Sequence, residues 1–326
     1  ANSKTKNNIY YIILDGALSL KRFEYLFDEK LNFIEKIDKD NFRYIENTHS
    51  SYFDTGKSLG SFFNMSYITL EDDFSPNYLY PRIFYKKNYK LNQPKLLKIL
   101  KNQGYEFVWY SNEYMDCRMI NDQICGKKNT HFLSAFINFY VFENFIKSSP
   151  ILAIINKINP NILIKRSYHS NDSIKNFLNN AKFYRDGKQR FFFIHAMMPH
   201  APFVYGKHCE ITDNRKKLTV GYKMNYFCTM NRVKEFKNYI SKYDKNSIVI
   251  IQGDHGYFFK NKKVLNIRND KGKYVEYLYN SNQKELLENF KIFNLIKVKH
   301  NCKFPMEIEL DNVNSALLIA NCATGT

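Results

Sequence analysis

The chain has 326 residues, of which 44% are hydrophobic and 25% charged, and its formal net charge is +18. Those are globular proportions with enough length for a sizeable core, which argues against disorder and fibrous repeats. No run of eighteen uncharged apolar residues occurs, so no membrane span is expected, and no charged-then-apolar leader opens the chain.

In chain order, Ala1-Asn2-Ser3-Lys4 is polar and leads into Ile9-Tyr10-Tyr11-Ile12-Ile13-Leu14, so the start reads as that of a chain trimmed to its soluble part. The apolar run predicts a buried strand ended by Asp15-Gly16. Helical patterning follows from about Leu20 to Lys39, and Phe42 to Glu46 fits a short strand. Thr55 to Phe63 has small polar residues opening an apolar stretch, the pattern of a helix start. Lys95 to Gln103 is helical, closed by Gly104, and Phe107 to Tyr110 is a strand. Residues 129–165 are aromatic and irregular, with apolar helical stretches. Phe191 to His195 is a further buried strand, Tyr222 to Tyr243 a helix, and Ser247 to Gln252 the clearest buried strand. Asn261 to Lys299 is polar, with a helix expected around Gln283 to Phe293. Alternating strands and helices predict an α/β fold, a mostly parallel central sheet with helices on both faces. No strong boundary interrupts 1–326, so it reads as a single domain, with 261–326 as a smaller C-terminal subregion.

The basic charge raises the question of nucleic acid. The lysines are scattered, as at Lys86-Lys87 and Lys127-Lys128, and no recognised motif accompanies them, so no nucleic-acid partner is expected. Abundant Lys, Asn, Ile, Tyr and Phe instead point to an A+T-rich coding sequence. The six cysteines, at 117, 125, 209, 228, 302 and 322, fall into three sequence-local pairs without any C-x-x-C. That spacing favours disulfides and an oxidising compartment over finger-type zinc, with buried thiols as the plainer alternative.

Chemistry-bearing residues gather just after the strands: Asp15, Asn112, His195 with His200, and Asp254-His255-Gly256. In a parallel sheet, ligands bind at the carboxyl ends of the strands. Two Asp, a His and a hydroxyl suit one divalent cation such as zinc, manganese or magnesium. Singly, each residue has a simpler explanation: a turn, a polar loop, a core histidine, or a helix cap at Thr55. Their order along the chain favours a common site.

These segments, Ile9 to Gly16, Ser51 to Tyr67, Phe193 to Phe203 and Ile248 to Gly256, resemble the alkaline phosphatase/sulfatase superfamily. Within it they are most similar to the phosphoethanolamine transferases and lipoteichoic acid synthases. The pattern Tyr52, Thr55, Ser58, Leu59, Ser61 is the most specific part. The resemblance implies an alkaline phosphatase-like fold over one sulfatase-like catalytic domain. It implies a metal site of Asp15, Thr55, Asp254 and His255, holding one divalent metal, Zn2+ first and Mn2+ or Mg2+ next. Thr55 would be the nucleophile and form a phospho-threonine intermediate. His195 and His200 would hold substrate phosphate or protonate the leaving alkoxide, and Asn112 and Lys57 would bind substrate. Cys117–Cys125, Cys209–Cys228 and Cys302–Cys322 would be disulfides of an exported domain. The implied reaction moves phosphoethanolamine or phosphoglycerol from a phospholipid donor to a surface glycan or lipid acceptor. The implied place is the periplasmic face of a bacterial inner membrane, reached through an anchor absent from this chain.

There are departures. Thr55-Gly56-Lys57 stands where a sulfatase needs a formylglycine precursor, which disfavours sulfate esters. Lys260, Lys262 and Lys263 lie where the transferases often carry a further His, the next being His300. Asp116 is near the place of a usual Lys, and Asp15 replaces a usual Glu. A phosphodiesterase or phosphatase of this fold, and a non-catalytic glycan- or lipid-binding relative, remain the alternatives.

Overall fold

The computed structural model describes residues 7–31, 41–67, 94–110, 123–125, 172–212, 218–257, 263–268, 274–279, 287–298, 302 and 309–325. Strands β1 (Ile9–Leu14), β3 (Glu106–Tyr110), β4 (Gln123–Cys125), β5 (Arg190–Ala196) and β6 (Ile248–Gly253) form the parallel body of a seven-stranded sheet. Its order is β2-β9-β6-β1-β5-β3-β4, where β2 is Arg43–Tyr44 and β9 is Asn294–Lys297. The last two add antiparallel at the β6 edge. A separate antiparallel pair, β7 (Lys263–Arg268) and β8 (Tyr274–Tyr279), stands apart from it.

The period of two in a strand sends alternate residues to opposite faces. Tyr10, Ile12 and Leu14 therefore enter one core, with Phe192, Ile194, Val249 and Ile251. Ile9, Tyr11 and Ile13 enter the other, with Phe191, Phe193, Ile248 and Ile250. Helices α1 (Leu20–Phe27), α4 (Ser173–Asn180) and α5 (Leu218–Tyr243) cover the first face. Helices α2 (Thr55–Asn64), α3 (Lys95–Asn102) and α6 (Asn312–Thr324) cover the second. Both faces are thus buried, which is why the strands read as continuous apolar runs. Truncating a fully buried ring such as Phe192 to Ala would cost about 3–5 kcal/mol.

Local chemistry sets the helix ends. Ser19 caps α1 through the Arg22 N–H, and Asp28 stops it in a left-handed conformation, φ 48°. The helix expected over Leu20 to Lys39 therefore ends at Phe27, and residues 32–40 lie outside the described set. Asp54 caps α2, and Asp311 caps α6 while also accepting the Ser51 hydroxyl at 2.7 Å.

One expectation is corrected in the C-terminal part. The helix around Gln283 to Phe293 is reduced, within the described residues, to a helical turn at 287–289, followed by β9. Helix α6 carries no clear amphipathic stripe in sequence because it is buried nearly all round. Disulfides join Cys209 to Cys228 and Cys302 to Cys322. Cys117 lies outside the described residues, as do Asn112, Asp116, Lys260, Lys262, His300 and residues 129–165.

Candidate active site

Three neighbouring strands, β6, β1 and β5, end at the same edge, and each delivers an acid or imidazole there. Register places Leu14 beside both Ala196 and Gly253, so Asp15, His195 and Asp254 emerge together. The turn after β1 is fixed by backbone bonds: Asp15 N–H donates to Ala196 O at 3.0 Å, and His200 N–H donates to Asp15 O at 3.0 Å. Asp254 Oδ1 accepts the N–H groups of Gly16 and His255, both at 2.9 Å, which locks that carboxylate in place.

Asp15, Asp254 and His255 are all buried, and one ligand atom from each lies within 4.8 Å of the others. His255 Nε2 is 3.5 Å from Asp15 Oδ1 and 3.6 Å from Asp254 Oδ2. Those two carboxylate oxygens have no hydrogen-bond partner among the described residues. His255 Nδ1 is 2.7 Å from the Gly256 carbonyl, so Nδ1 carries a proton and, once the ring is neutral, Nε2 presents a lone pair to the centre. A ring nitrogen anchored through its other nitrogen is the arrangement of a metal-ligating histidine. Thr55 Oγ1 reaches the same point, 3.2 Å from His255 Nε2. Two orphaned carboxylate oxygens, a poised imidazole nitrogen and a hydroxyl are a donor set that fits a divalent cation such as zinc.

Electrostatics agree with that fit. Burial alone would push the Asp15 carboxyl up, but the surrounding His195, His255 and His200 imidazoles outweigh it and hold Asp15 below the usual carboxylate range. Burial would likewise lower the His255 ring, yet Asp254, Asp15 and the Gly256 carbonyl outweigh it and push its pKa up to about 9. Without a cation, a proton on His255 offsets the paired carboxylates.

Thr55 is the first residue of α2, half-buried at its mouth. Asp54 Oδ1 accepts the Lys57 N–H at 2.8 Å. The N–H groups of Thr55 and Gly56 have no acceptor within the helix, so the first turn faces the site with positive partial charge. Lys57 stands in that turn, half-buried.

The two other predicted histidines occupy different environments. His195 is 1% exposed, and its Nε2 lies 3.3 Å from Asp15 Oδ2. That places it deep in the site, against the Asp15 side chain. His200 is half-buried at the rim; its Nδ1 is 3.0 Å from Ala201 O, and its ring lies 6.1 Å from that of His255. The structure thus brings Asp15, Thr55, His195, His200, Asp254 and His255 to one edge.

Sequence reasoning missed Tyr222, Tyr226 and Tyr257. Tyr222 donates its hydroxyl to Gly16 O at 2.8 Å and accepts the Leu18 N–H at 3.2 Å. Tyr226, one turn later on α5, donates to Leu18 O at 2.7 Å. The two brace the loop that carries Asp15. Tyr257 packs against His200 and Tyr222, and burial with the Asp15 charge pushes its pKa up to about 12. Its signal was adjacency to Asp254-His255-Gly256; the other two carried only their spacing of four on a helix.

A family model described as Sulfatase matches residues 8–285. No curated protein is similar to the chain at a significant level. Among solved structures, the integral membrane lipooligosaccharide phosphoethanolamine transferase A from Neisseria meningitidis is similar at 11% identity and TM-score 0.58, over 99% of this chain and 55% of that one. This chain therefore spans about half the length of that membrane protein. The soluble domain of the same transferase gives 12% identity and TM-score 0.58, over 99% and 90%. The C-terminal periplasmic domain of EcEptC from Escherichia coli, in complex with Zn, gives 13% identity and TM-score 0.51, over 96% and 82%. At such identities the likeness is one of fold.

Proposed function

The chain belongs to the Sulfatase family, and from that premise we propose that it is a metal-dependent phosphotransferase with Thr55 as nucleophile. The observation that carries this is Thr55 Oγ1, 3.2 Å from His255 Nε2, beside Asp15 Oδ1 and Asp254 Oδ2, which have no hydrogen-bond partner among the described residues. The structural neighbours support it, one a phosphoethanolamine transferase and one a periplasmic domain in complex with Zn.

Asp15, Asp254, His255 and Thr55 are the residues that would hold the cation. When bound, a divalent cation supplies charge that acidifies a hydroxyl and polarises a phosphoryl oxygen. Thr55 Oγ1, its proton released to solvent, attacks phosphorus, forming a Thr55 phosphoester as the ester bond to the leaving group breaks; the acceptor oxygen then attacks the same phosphorus and the Thr55 O–P bond breaks. The N–H groups at the start of α2 stabilise the negative phosphoryl oxygens. His200, on the open side, gives a proton to the departing alkoxide and takes one from the acceptor hydroxyl in the second half-reaction. His195 orients Asp15 and does not touch substrate. Lys57 adds positive charge beside the transferred group, and Asn112 binds its phosphate.

The donor we propose is a phospholipid carrying phosphoethanolamine or phosphoglycerol, and the acceptor a surface glycan or lipid. The working place is outside the cytoplasm of a bacterium, with an anchor outside the stretch given by this sequence. Two disulfides support an oxidising compartment. No helix among the described residues is long and apolar enough to cross a membrane.

Elemental analysis of wild type beside Asp254→Ala tests the centre. The expected result is about one equivalent of zinc in wild type and none in the variant. Intact mass after incubation with phospholipid should show a phospho-adduct that Thr55→Ala abolishes. Wild type that takes up no metal under any loading condition would overturn the catalytic proposal in favour of a binding relative.

A further inference from the structure

The rim of the site holds a second construction that the metal–threonine chemistry does not by itself require. Gly16, immediately after Asp15, has φ +68°. A Cβ there would lie 3.2 Å from Tyr257 Cδ2, 3.5 Å from His200 Cδ2 and 3.6 Å from His255 Cε1. Three rings therefore converge over this glycine: a Cβ there would press on Tyr257 and touch the two imidazoles at van der Waals distance. The nearest His200 atom, Cδ2, also shows how that ring lies. Cδ2 is bonded to Nε2, so the Nε2 edge turns towards Gly16 and the centre, while Nδ1 points to Ala201 O.

One hydrogen bond does not fix the plane of an imidazole, because the torsion at its ring is broad and roughly two-fold. The other constraint is Tyr257. Its ring stands edge-on to His200, 5.7 Å between centroids at 74°. Its opposite support is Tyr222, 4.4 Å away at 32°, and Phe203 adds a third ring at 6.5 Å. Tyr222 is anchored at Gly16 O and Leu18 N, so the stack is tied to the same loop that carries Asp15.

We propose that Tyr257 is the positioning residue for His200, holding its Nε2 edge towards the centre where Thr55 takes up the phosphoryl group. This rests on the phosphotransferase proposal above. Tyr257 acts through its ring, as a wall for the imidazole, and Gly16 is the gap that lets this wall and the His200 edge close on the same point. Loss of the ring frees His200 to flip and lowers turnover without removing the cation ligands.

The test compares Tyr257→Phe, Tyr257→Leu and Tyr257→Ala in the full chain. Histidine-ring NMR, with His200→Gln to assign the resonance, reads the His200 tautomer in metal-free and zinc-loaded protein. Zinc content and hydrolysis of bis(p-nitrophenyl) phosphate are measured alongside. The expected result is a single Nδ1–H tautomer in wild type and Tyr257→Phe, and an averaged one in Tyr257→Leu and Tyr257→Ala. Those two variants keep wild-type zinc content and lose on the order of 10- to 100-fold in kcat, with KM changed less than about threefold. The leucine variant fills most of the volume, so it carries the test if the alanine variant fails to fold. A wild-type tautomer and kcat in Tyr257→Leu would overturn the proposal, and so would a loss in Tyr257→Phe equal to that in Tyr257→Leu. Wild type without turnover, but with a tautomer that Tyr257→Leu disturbs, overturns the phosphotransferase proposal and leaves the positioning role standing.

Discussion

The two ends of the central strands treat their charged groups in opposite ways. At the amino end, Asp244 Oδ2 accepts Asn8 Nδ2 at 2.8 Å and the Tyr10 hydroxyl at 2.9 Å. Arg190, 3% exposed, donates to both Asp186 oxygens, to Tyr184 O and to Glu106. Every one of those charges has a partner. At the carboxyl end, Asp15 Oδ1, Asp254 Oδ2 and His195 Nδ1 have none among the described residues. A buried polar atom without a partner costs stability. The amino end is therefore built to hold the sheet, and the carboxyl end holds donors in reserve for a ligand.

Breaking the reserved end should separate function from stability most sharply. Asp254→Asn keeps an oxygen for the Gly16 and His255 N–H groups and removes the charge. Turnover should fall by about 10^3-fold or more, and zinc should be lost. The melting temperature of the metal-free protein should stay level or rise, since one uncompensated carboxylate has gone. Calorimetry of metal-free protein checks this; a large drop in Tm would show that Asp254 serves the fold.

The next largest effect is on pH. In the metal-free site His255 keeps its proton up to about 9, above its unfolded value, whereas Asp15 is already ionised. Zinc must therefore displace one proton, and its apparent affinity should rise about tenfold per pH unit between about 6.5 and 9, then flatten. By the same linkage, the His255 contribution to metal-free stability is fully present below about 6.5 and is lost as pH rises through about 9. Competition with a chelator of known affinity, at several pH values, gives the slope. A slope of zero would show that His255 is not displaced.

The amino end predicts the reverse pattern of effects. Arg190→Met leaves Asp186 and Glu106 without their shared cation, and Tm should fall by several degrees. Zinc content should be unchanged and kcat should stay within about twofold, because Arg190 opens β5 and the site lies where β5 ends. Loss of zinc in this variant would mean that the two ends are coupled along the strand.

The legibility of the two ends differed for the same reason. β1, β5 and β6 are buried on both faces, so their apolar runs and the residues just beyond them could be read directly, including Asp15, His195, Asp254 and His255. The antiparallel edge could not. Phe290-Lys291-Ile292-Phe293 runs into β9, and a short apolar run does not distinguish strand from helix. β7 and β8 alternate around Asn269 to Gly272, a turn-like composition that the surrounding lysines obscured. Helix α1 was overextended because a left-handed stop at Asp28 has no strong residue signal. In the site, the sequence ordered the ligands but did not separate His195 from His200. That difference depends on which one lies deep against Asp15, and only the packing shows it.

The smallest effect sharpens the comparison by making one substitution at both ends. Tyr10→Phe removes a hydroxyl given to Asp244, which keeps Asn8 as a donor. Tyr222→Phe removes a hydroxyl that serves Gly16 O and Leu18 N. Both tyrosines are buried, and each change should cost about 1 kcal/mol, somewhat more for Tyr222, because two backbone groups lose their partner. Denaturant melts should therefore show similar stability losses, yet only Tyr222→Phe should weaken zinc binding, by about threefold to tenfold. The cause is mechanical: Gly16 and Leu18 bracket the loop that carries Asp15, and a ligand set gains affinity from being held in place. Equal zinc affinity in the two variants would show that the metal site is held by its own strands alone, with α5 serving only as cover for the sheet.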